Sequence, residues 1–150
     1  MSLQGATQGF TKVLSGTAQY ALRAVVQLAR GYPGAPMRAD DLATAVNVPR
    51  NYLSKILHQL VRAGVLSSSR GKHGGFTLSV PPHEIAMLDV VSPFDDVGAQ
   101  RSCLFGRLEC SDEDPCPAHD RWRATAEQLS TFFRETTIAD VLSDGTGTAP

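Results

Sequence analysis

The 150-residue sequence lacks the long apolar runs, the even cysteine count and the high charge content that mark several classes of protein. No stretch approaches the roughly 18 apolar residues that a membrane helix needs, and the N-terminus lacks the basic region and apolar stretch of a signal peptide. Three cysteines do not make a disulfide framework. A composition with 42% hydrophobic and 19% charged residues is typical of a folded domain. We therefore expect a cytoplasmic protein that has no membrane partner.

The sequence also contains no Ser-His-Asp arrangement and no paired carboxylates of the kind that hydrolases use. Two residues separate Cys116 from His119, and this pair suits metal ligation better than the roles of nucleophile and base. We predict that the chain is not an enzyme.

A strong net charge is absent as well, but the balance of −1 hides a division along the chain. Residues 1–80 hold nine basic and two acidic residues, whereas residues 81–150 hold five basic and thirteen acidic residues. The first part therefore carries +7 and the second −8. A basic N-terminal unit favours a nucleic-acid partner, and chance clustering of solvated side chains is the alternative. The helical pattern has to decide between them.

Two amphipathic segments joined by a short turn predict a helix-turn-helix. An apolar helix over residues 17–30 comes first, and the next helix covers residues 38–46. Asn47 suits the left-handed end of that helix, Val48 can fill the corner, and Pro49 suits the first turn of a new helix that stops at Gly64. The second helix places polar side chains opposite its apolar face, and they could contact bases or phosphates. An ordinary helical hairpin with solvated charges is the alternative.

A β-hairpin is predicted directly after these helices, with strands at residues 65–69 and 76–80. Its glycine-rich tip carries Arg70, Lys72 and His73, so it resembles a wing that enters the minor groove while the preceding helix occupies the major groove. Turn formation alone would explain the glycines but not the cations. We predict binding of double-stranded DNA, with Arg70 the first choice for a contact and Lys55 and Arg50 next. The full predicted set is Arg50, Asn51, Ser54, Lys55, His58, Arg70, Lys72 and His73.

The C-terminal part is predicted to hold a short helix over residues 83–91, a polar loop over 95–117 and a long helix from Pro117 to about Thr136. Trp122, Ala126 and Leu129, with Phe132 or Phe133, share one face of the long helix, and such a face needs a partner surface. A second copy in a two-fold dimer would place two recognition helices over a palindromic operator. Packing back on the chain's own head is the alternative.

These elements predict a mainly α fold with a small β-hairpin wing, in which a winged helix-turn-helix head precedes a long C-terminal dimerisation helix. The head is expected over residues 12–82. The linker helix, the cysteine loop and the dimerisation helix are expected over 83–142. Residues 1–11 and 143–150 are expected to be flexible ends.

The polar loop contains a candidate metal site made of Cys103, Cys110, Cys116 and His119, which lie within 17 positions. Thiolates and an imidazole at such spacings can converge on an iron–sulfur cluster or on zinc. Structural zinc sites usually pair ligands about two to four residues apart, and only Cys116 and His119 do so here. A metal-free thiol switch is a further alternative, although the surrounding acids are expected to raise the pKa of the thiols. The last alternative is that the three cysteines are free thiols with no function.

From about Lys12 to Leu142 the chain resembles the IscR/NsrR-type (Rrf-two) family of bacterial winged-helix regulators. The resemblance is carried by Tyr20-Ala21-Leu22-Arg23-Ala24, Val48-Pro49-Arg50-Asn51-Tyr52-Leu53, Arg70-Gly71-Lys72-His73-Gly74-Gly75-Phe76, the three cysteines with Cys116-Pro117-Ala118-His119, and Thr137-Ile138-Ala139-Asp140-Val141-Leu142. It implies a homodimer with the long helix at the interface, and a 2Fe–2S cluster (less favoured, 4Fe–4S) that purification can remove.

The resemblance also implies the ligands and the function. Three loop cysteines would hold the cluster, together with a histidine placed like His119 or an acidic residue of the partner's first helix at the position of Gln19. Glutamine is a poor iron ligand, so His119 is favoured. The first cysteine gap of six residues departs from the five or seven of several relatives and leaves the cluster type and the signal open. The implied function is a transcriptional regulator, usually a repressor, whose operator affinity responds to redox state, nitric oxide or iron supply. Regulation by zinc, bare thiols or a small ligand, and a protein–protein adaptor, remain as alternatives.

Overall fold

The computed structural model describes residues 13–97, 103, 105, 107 and 111–145. It is mostly helical with one two-stranded antiparallel hairpin, as predicted. In chain order its elements are α1 (Gly16–Arg30), α2 (Ala39–Val46), α3 (Arg50–Arg62), β1 (Leu66–Ser69), β2 (Gly75–Leu78), a 3-10 helix (Pro82–Glu84), α4 (Met87–Val91), α5 (His119–Glu135) and α6 (Ile138–Asp144). None of the helices in these described ranges is long and apolar enough to span a bilayer.

Helix α1 is the central strut, and it packs against α2, α3, α4, α6 and β2. It begins at Ser15, whose hydroxyl accepts the Ala18 amide at 3.2 Å. Its buried residues include Ala18, Ala21, Ala24 and Ala29, together with Val25 and Leu28. The small side chains let neighbouring helices approach closely. Arg23 is half-buried and donates to the carbonyl of Val46 at the end of α2.

The turn between α2 and α3 has the predicted helix-turn-helix chemistry. Asn47 lies in the left-handed region at φ 55°, which ends α2. The Val48 amide donates to the Ala43 carbonyl at 3.0 Å, and the Val48 side chain is buried in the corner. Helix α3 turns Leu53, Ile56, Leu57 and Leu60 into the core, so its opposite face stays available to solvent.

The hairpin forms as predicted, with Leu66 opposite Leu78 and Ser69 opposite Gly75. Phe76 and Leu78 point inward. Strand β1 begins one residue later than predicted. The reason is that the Val65 amide donates a hydrogen bond to the Leu60 carbonyl at the end of α3. Strand β2 ends at Leu78, and Val80 is half-buried beyond it.

A third segment joins the wing, because Met37 and Phe76 exchange two backbone hydrogen bonds of 3.0 and 2.8 Å. Gly75 lies at this crossing with φ 151°, and a Cβ there would lie 2.5 Å from the Met37 carbonyl oxygen. Only glycine fits this close approach without a shift of the backbone.

Gly75→Ala is therefore expected to lower the free energy of unfolding by at least ~2 kcal/mol, because strain and the clash with the Met37 carbonyl add. Urea denaturation measures the change. Gly16→Ala is the matched control, since it places a Cβ in open space at the start of α1 and is expected to be neutral or stabilising by up to about 1 kcal/mol. Equal stability of the two variants would contradict this account of the wing.

The prediction of one helix over residues 83–91 is wrong. The structure divides that segment into the 3-10 helix and α4. The break occurs because the Met87 amide donates to the Thr136 carbonyl at 2.8 Å, and the Ile138 amide donates to the Ile85 carbonyl at 2.9 Å. Because residues 85–87 form backbone hydrogen bonds with this distant segment, they do not continue a single helix.

The described residues 111–145 contain two helices. Helix α5 ends at Glu135, and α6 starts from a capping box in which Thr137 and Asp140 bond to each other's backbone amides. The pKa of the Asp140 carboxyl is lowered, chiefly because the Thr137 backbone amide donates a hydrogen bond to it. The Thr137 hydroxyl donates a second hydrogen bond with a smaller effect. Helix α6 runs to Asp144, two residues past the boundary predicted at Leu142.

The core joins both parts of the chain. Its main cluster contains the buried side chains of the head together with Ile85, Val90 and Ile138 from beyond residue 82. A second cluster consists of Ala18, Val91, Val97 and Phe133. Through Phe133, the C-terminal end of α5 packs on α1 and α4, which is one of the two packing alternatives that the sequence left open.

Candidate DNA-binding surface and cysteine loop

The predicted DNA contacts lie on α3 and in the turn of the wing. All eight are solvent-exposed except Ser54, which is half-buried. The edge-to-face contact of His58 with Phe76, at 5.8 Å between ring centroids, brings α3 against the hairpin. Within the described residues, the side chains of Lys55, Arg70, Lys72 and His73 have no hydrogen bond or ion pair. These cations are therefore available to an anionic partner.

Arg50 differs from the other cations because it forms an ion pair with Asp40 in the first turn of α2. Both side chains are about 60% exposed, at 60% and 63%. An exposed pair of this kind is weak, so Arg50 can exchange Asp40 for another anion at little cost.

Tyr52 is a residue of α3 that the predicted DNA-binding set omits. It is 40% exposed, it stacks edge-on against Tyr20 with centroids 5.8 Å apart, and its hydroxyl contacts the Thr17 hydroxyl. Tyr52 thus connects the exposed face of α3 to the start of α1. The family motif contained this residue, but periodicity did not assign it to either face of the helix.

The two cysteines that the structure describes are free, buried and in contact. Cys103 and Cys116 are each 6% exposed, and their thiols are joined by a hydrogen bond. The pKa of Cys103 is lowered, chiefly because the Phe105 backbone amide donates to its sulfur, while burial opposes this effect. Arg107 lowers it further through its amide and its charge. The expectation that surrounding acids would raise this pKa is therefore wrong. Cys110 lies outside the described residues.

His119 is the first residue of α5 and is only 6% exposed. Its backbone amide donates to the Cys116 carbonyl at 3.0 Å. Its Nε2 lies 2.9 Å from Asp112 Oδ1, and the same carboxylate accepts a hydrogen bond from Arg123 one turn along α5. The pKa of Asp112 is lowered, chiefly by the hydrogen bond from His119 and to a smaller extent by the one from Arg123.

The chemistry of these residues fits a soft metal centre. Two adjacent sulfurs, one of them accepting backbone amides, are suited to thiolate ligation, and a buried imidazole follows within one turn. In the described part of the chain no three cysteine, histidine or acidic side chains are grouped closely enough to hold a metal ion. Gln19, at the position of the alternative fourth ligand, donates its side-chain amide to the Leu14 carbonyl at 3.1 Å.

A comparison with protein families decides the identity of the fold. The model of the Rrf2 family, described as iron-dependent transcriptional regulators, matches residues 14–144. The chain belongs to the Rrf2 family. The predicted family is thereby confirmed, and the Rrf2 chain is a DNA-binding transcriptional regulator. The adaptor alternative is not retained.

Relatives and solved structures agree with this assignment. An Aquifex aeolicus protein described as an HTH-type transcriptional regulator is 32% identical over 133 residues, covering 87% of this chain and 92% of its own. The regulator IscR of Vibrio atlanticus is 26% identical over 131 residues, covering 87% and 75%. The structure of CymR, the global cysteine regulator of B. subtilis, is similar with a TM-score of 0.76 at 21% identity, covering 89% and 98%. T. potens IscR gives a TM-score of 0.73 at 19% identity, covering 95% and 96%; both structures show the fold alone.

Proposed function

We propose that this Rrf2 regulator is a homodimer that binds a palindromic operator through α3 and the wing, with an affinity set by an iron–sulfur cluster. Cys103, Cys110, Cys116 and His119 would hold the cluster. The observation that carries the proposal is the contact between the buried Cys103 and Cys116 thiols, one of which accepts backbone amides. Iron–sulfur clusters require thiolate ligands, and backbone amides that donate to a buried sulfur favour its thiolate form.

The DNA-binding surface has the shape and the charge for this function. Helix α3 has 13 residues and therefore spans about 20 Å, which suits a major groove. The wing tip presents Arg70, Lys72 and His73 on a loop beyond the end of α3, where a minor groove or a backbone phosphate would lie. Lys55 on α3 and the wing cations would provide affinity, while Asn51 and Ser54 can reach base edges.

The dimer is proposed on the exposed part of α5. The C-terminal half of α5 packs on the head through Phe133 and Leu129, whereas Trp122 and Ala126 on the same helical face are half-buried outside that cluster. An apolar face of this kind is stabilised by a partner surface, and a second copy of the chain supplies one.

Ala126→Asp is expected to convert the dimer to monomer at micromolar concentration, because it places a charge within the apolar face of α5. Light scattering coupled to gel filtration measures the mass. Ala124→Asp is the matched control, since Ala124 is exposed and lies nearly opposite Ala126 on the helix. A dimer that survives Ala126→Asp, or that both variants disrupt alike, would argue against this interface.

The loop is connected to the DNA-binding head at both of its ends. Val97, near the start of the loop, packs with Ala18 and Phe133. The residue next to Ala18 is Thr17, whose hydroxyl contacts Tyr52 on α3. When bound, an iron–sulfur cluster supplies several metal–ligand bonds across the loop and reacts with oxygen or nitric oxide. Cys116 and His119 at the start of α5 would transmit the loss of those bonds to α5, and through Phe133 to α1 and α3.

A metal-free thiol switch is the second candidate, because the Cys103 and Cys116 sulfurs already contact each other. Hydrogen peroxide would accept two electrons and the two thiol protons, giving one disulfide and two water molecules. The same loop and the same connections to the head would carry the signal.

Operator binding before and after nitric oxide tests the proposal. The protein is purified without air and analysed for iron and sulfide, and its affinity is measured by fluorescence anisotropy on a duplex selected from a random-sequence pool. Equal amounts of iron and sulfide, with at least a tenfold change of affinity on exposure, support cluster sensing. Iron-free protein that responds only to peroxide supports the thiol switch instead. The same affinity under all treatments rejects both.

A further inference from the structure

An exposed carboxylate lies beside the first residue of the proposed recognition helix. Asp40 belongs to the first turn of α2, and Arg50 begins α3. The two form an ion pair in which Asp40 Oδ1 approaches Arg50 Nε, and both side chains stay largely in solvent. An exposed pair adds little stability, and an acid next to DNA repels its phosphates. Folding and charge attraction therefore do not account for an acid at this position.

The helix-turn-helix itself places the two residues together. Asn47 ends α2 in the left-handed conformation, and the Val48 amide closes the turn on the Ala43 carbonyl at 3.0 Å. The buried side chain of Val48 fixes the corner between the helices. The start of α2 is thereby held within ion-pair distance of the start of α3.

The approach at Nε leaves the outer edge of the Arg50 guanidinium available. Its two terminal nitrogens have no hydrogen bond to another residue in the described part of the chain. A guanidinium is planar, and its nitrogens can donate side by side to O6 and N7 of one guanine. A carboxylate at Nε restricts the rotation of this plane, and the attraction strengthens when DNA excludes water from the pair.

We infer that Asp40 is a positioning residue that orients Arg50 to read a guanine in the major groove of the operator. The N-terminal residues of the second helix of a helix-turn-helix reach base edges, which is where Arg50 lies. Asp40 also penalises arrangements in which Arg50 contacts only phosphates. Both effects favour the operator over other sequences, so Asp40 determines specificity more than affinity. The inference rests on the proposed operator binding through α3.

Guanine contacts are mapped on the operator selected from the random-sequence pool. Each guanine is replaced in turn by 7-deazaguanine, which lacks the N7 acceptor, and affinity is measured by fluorescence anisotropy. For the unmodified protein we expect one guanine in each half-site whose replacement weakens binding at least about fivefold, as the loss of a bidentate arginine contact does. Arg50→Ala should bind the operator more weakly and show no further loss at that guanine.

Variants of the two neighbouring acids separate positioning from charge. Asp40→Ala should reduce the loss at the Arg50-dependent guanine to below about twofold and lower the ratio of operator to unrelated-duplex affinity by about fivefold. Asp40→Glu keeps the carboxylate and should restore most of both. Asp41→Ala is the matched control, because Asp41 is exposed in the same first turn and has no ion pair among the described residues. It should leave both quantities unchanged, and thermal melting checks that every variant folds.

The outcomes distinguish this inference from the proposed function. Tighter binding of Asp40→Ala to operator and unrelated duplex alike would overturn the inference, since Asp40 would then only compete with phosphates for Arg50. An unchanged guanine effect in Asp40→Ala, or an equal change in Asp41→Ala, would overturn it too. A full set of guanine effects in Arg50→Ala would refute the inference and leave operator binding standing. If the unmodified protein selects no duplex at all, both fail together.

Discussion

Replacing Cys116 with serine is expected to lower the iron and sulfide content of anaerobically reconstituted protein at least ~100-fold at limiting iron, since even residues behind a metal ligand change affinity by about 10- to 100-fold. Cys116 combines a buried sulfur, a contact with Cys103 and a backbone hydrogen bond from His119, so its loss removes a proposed ligand where the loop meets α5. Operator affinity should then no longer respond to nitric oxide. Absorbance spectra, metal analysis and anisotropy titrations measure these changes.

Ser111→Ala is the matched control for the cysteine variant. It changes another small residue of the same loop, removing only a hydroxyl that accepts the Glu113 amide at 3.1 Å. Its iron content and its nitric oxide response should be unchanged. Retention of the cluster by Cys116→Ser would remove this cysteine from the ligand set, and an equal loss in Ser111→Ala would show that the loop is merely fragile.

The double replacement Arg70→Ala with Lys72→Ala is expected to weaken operator binding by about 100-fold at physiological salt, because an arginine contact to DNA is worth about 1–3 kcal/mol and the lysine adds a phosphate contact. Both side chains are exposed at the wing tip, so their removal leaves the core untouched. The plot of log affinity against log salt should also become shallower by about 2, one increment for each phosphate that the variant no longer neutralises.

The control for the wing is Arg121→Ala with Arg134→Ala, which removes two exposed arginines from α5 and leaves the same net charge. Light scattering establishes that both proteins have the same mass. The control should keep its affinity within about threefold, because these arginines act only through long-range charge. A loss of the same size in both proteins would mean that net charge, not the wing, holds the DNA.

Local chemistry in the sequence was sufficient for the head. Asn47 and Pro49 marked the turn between α2 and α3, and apolar residues three and four apart marked the buried face of α3. The alternation of Phe76 and Leu78 marked β2. Each of these features depends on residues close together in the chain, so its physical cause is visible without the fold.

Pairing between distant segments was not visible in this way. The contacts of Ile85 with Ile138 and of Met87 with Thr136 divide the predicted helix over 83–91 and separate α5 from α6. The close approach of Met37 to Phe76, which accounts for glycine at position 75, also joins segments far apart in sequence. Backbone hydrogen bonds between such segments override the local helical preference.

In the cysteine loop, too, the sequence predicted some features and the tertiary structure determined others. Residue types and spacing nominated Cys103, Cys116 and His119, but counting nearby acids predicted the wrong direction for the pKa of Cys103, since the direction depends on which backbone amides face the sulfur. The hydrogen bond between His119 and the carboxylate of Asp112 was likewise absent from the sequence interpretation. The pKa of Cys103 and the contact of His119 both depend on how the groups around them are oriented, and the spacing of residues in the sequence does not encode that orientation.

By itself the sequence determined the winged helix-turn-helix, the positive charge of its α3 and wing residues, and the residue types of the candidate metal site, because these follow from periodicity, turn chemistry and composition. Only the tertiary structure decided that α6 returns to the core of the head, that Tyr52 connects α3 to α1, and that a carboxylate holds one nitrogen of His119. These features depend on distances between groups that the chain brings together only when it buries its apolar surface.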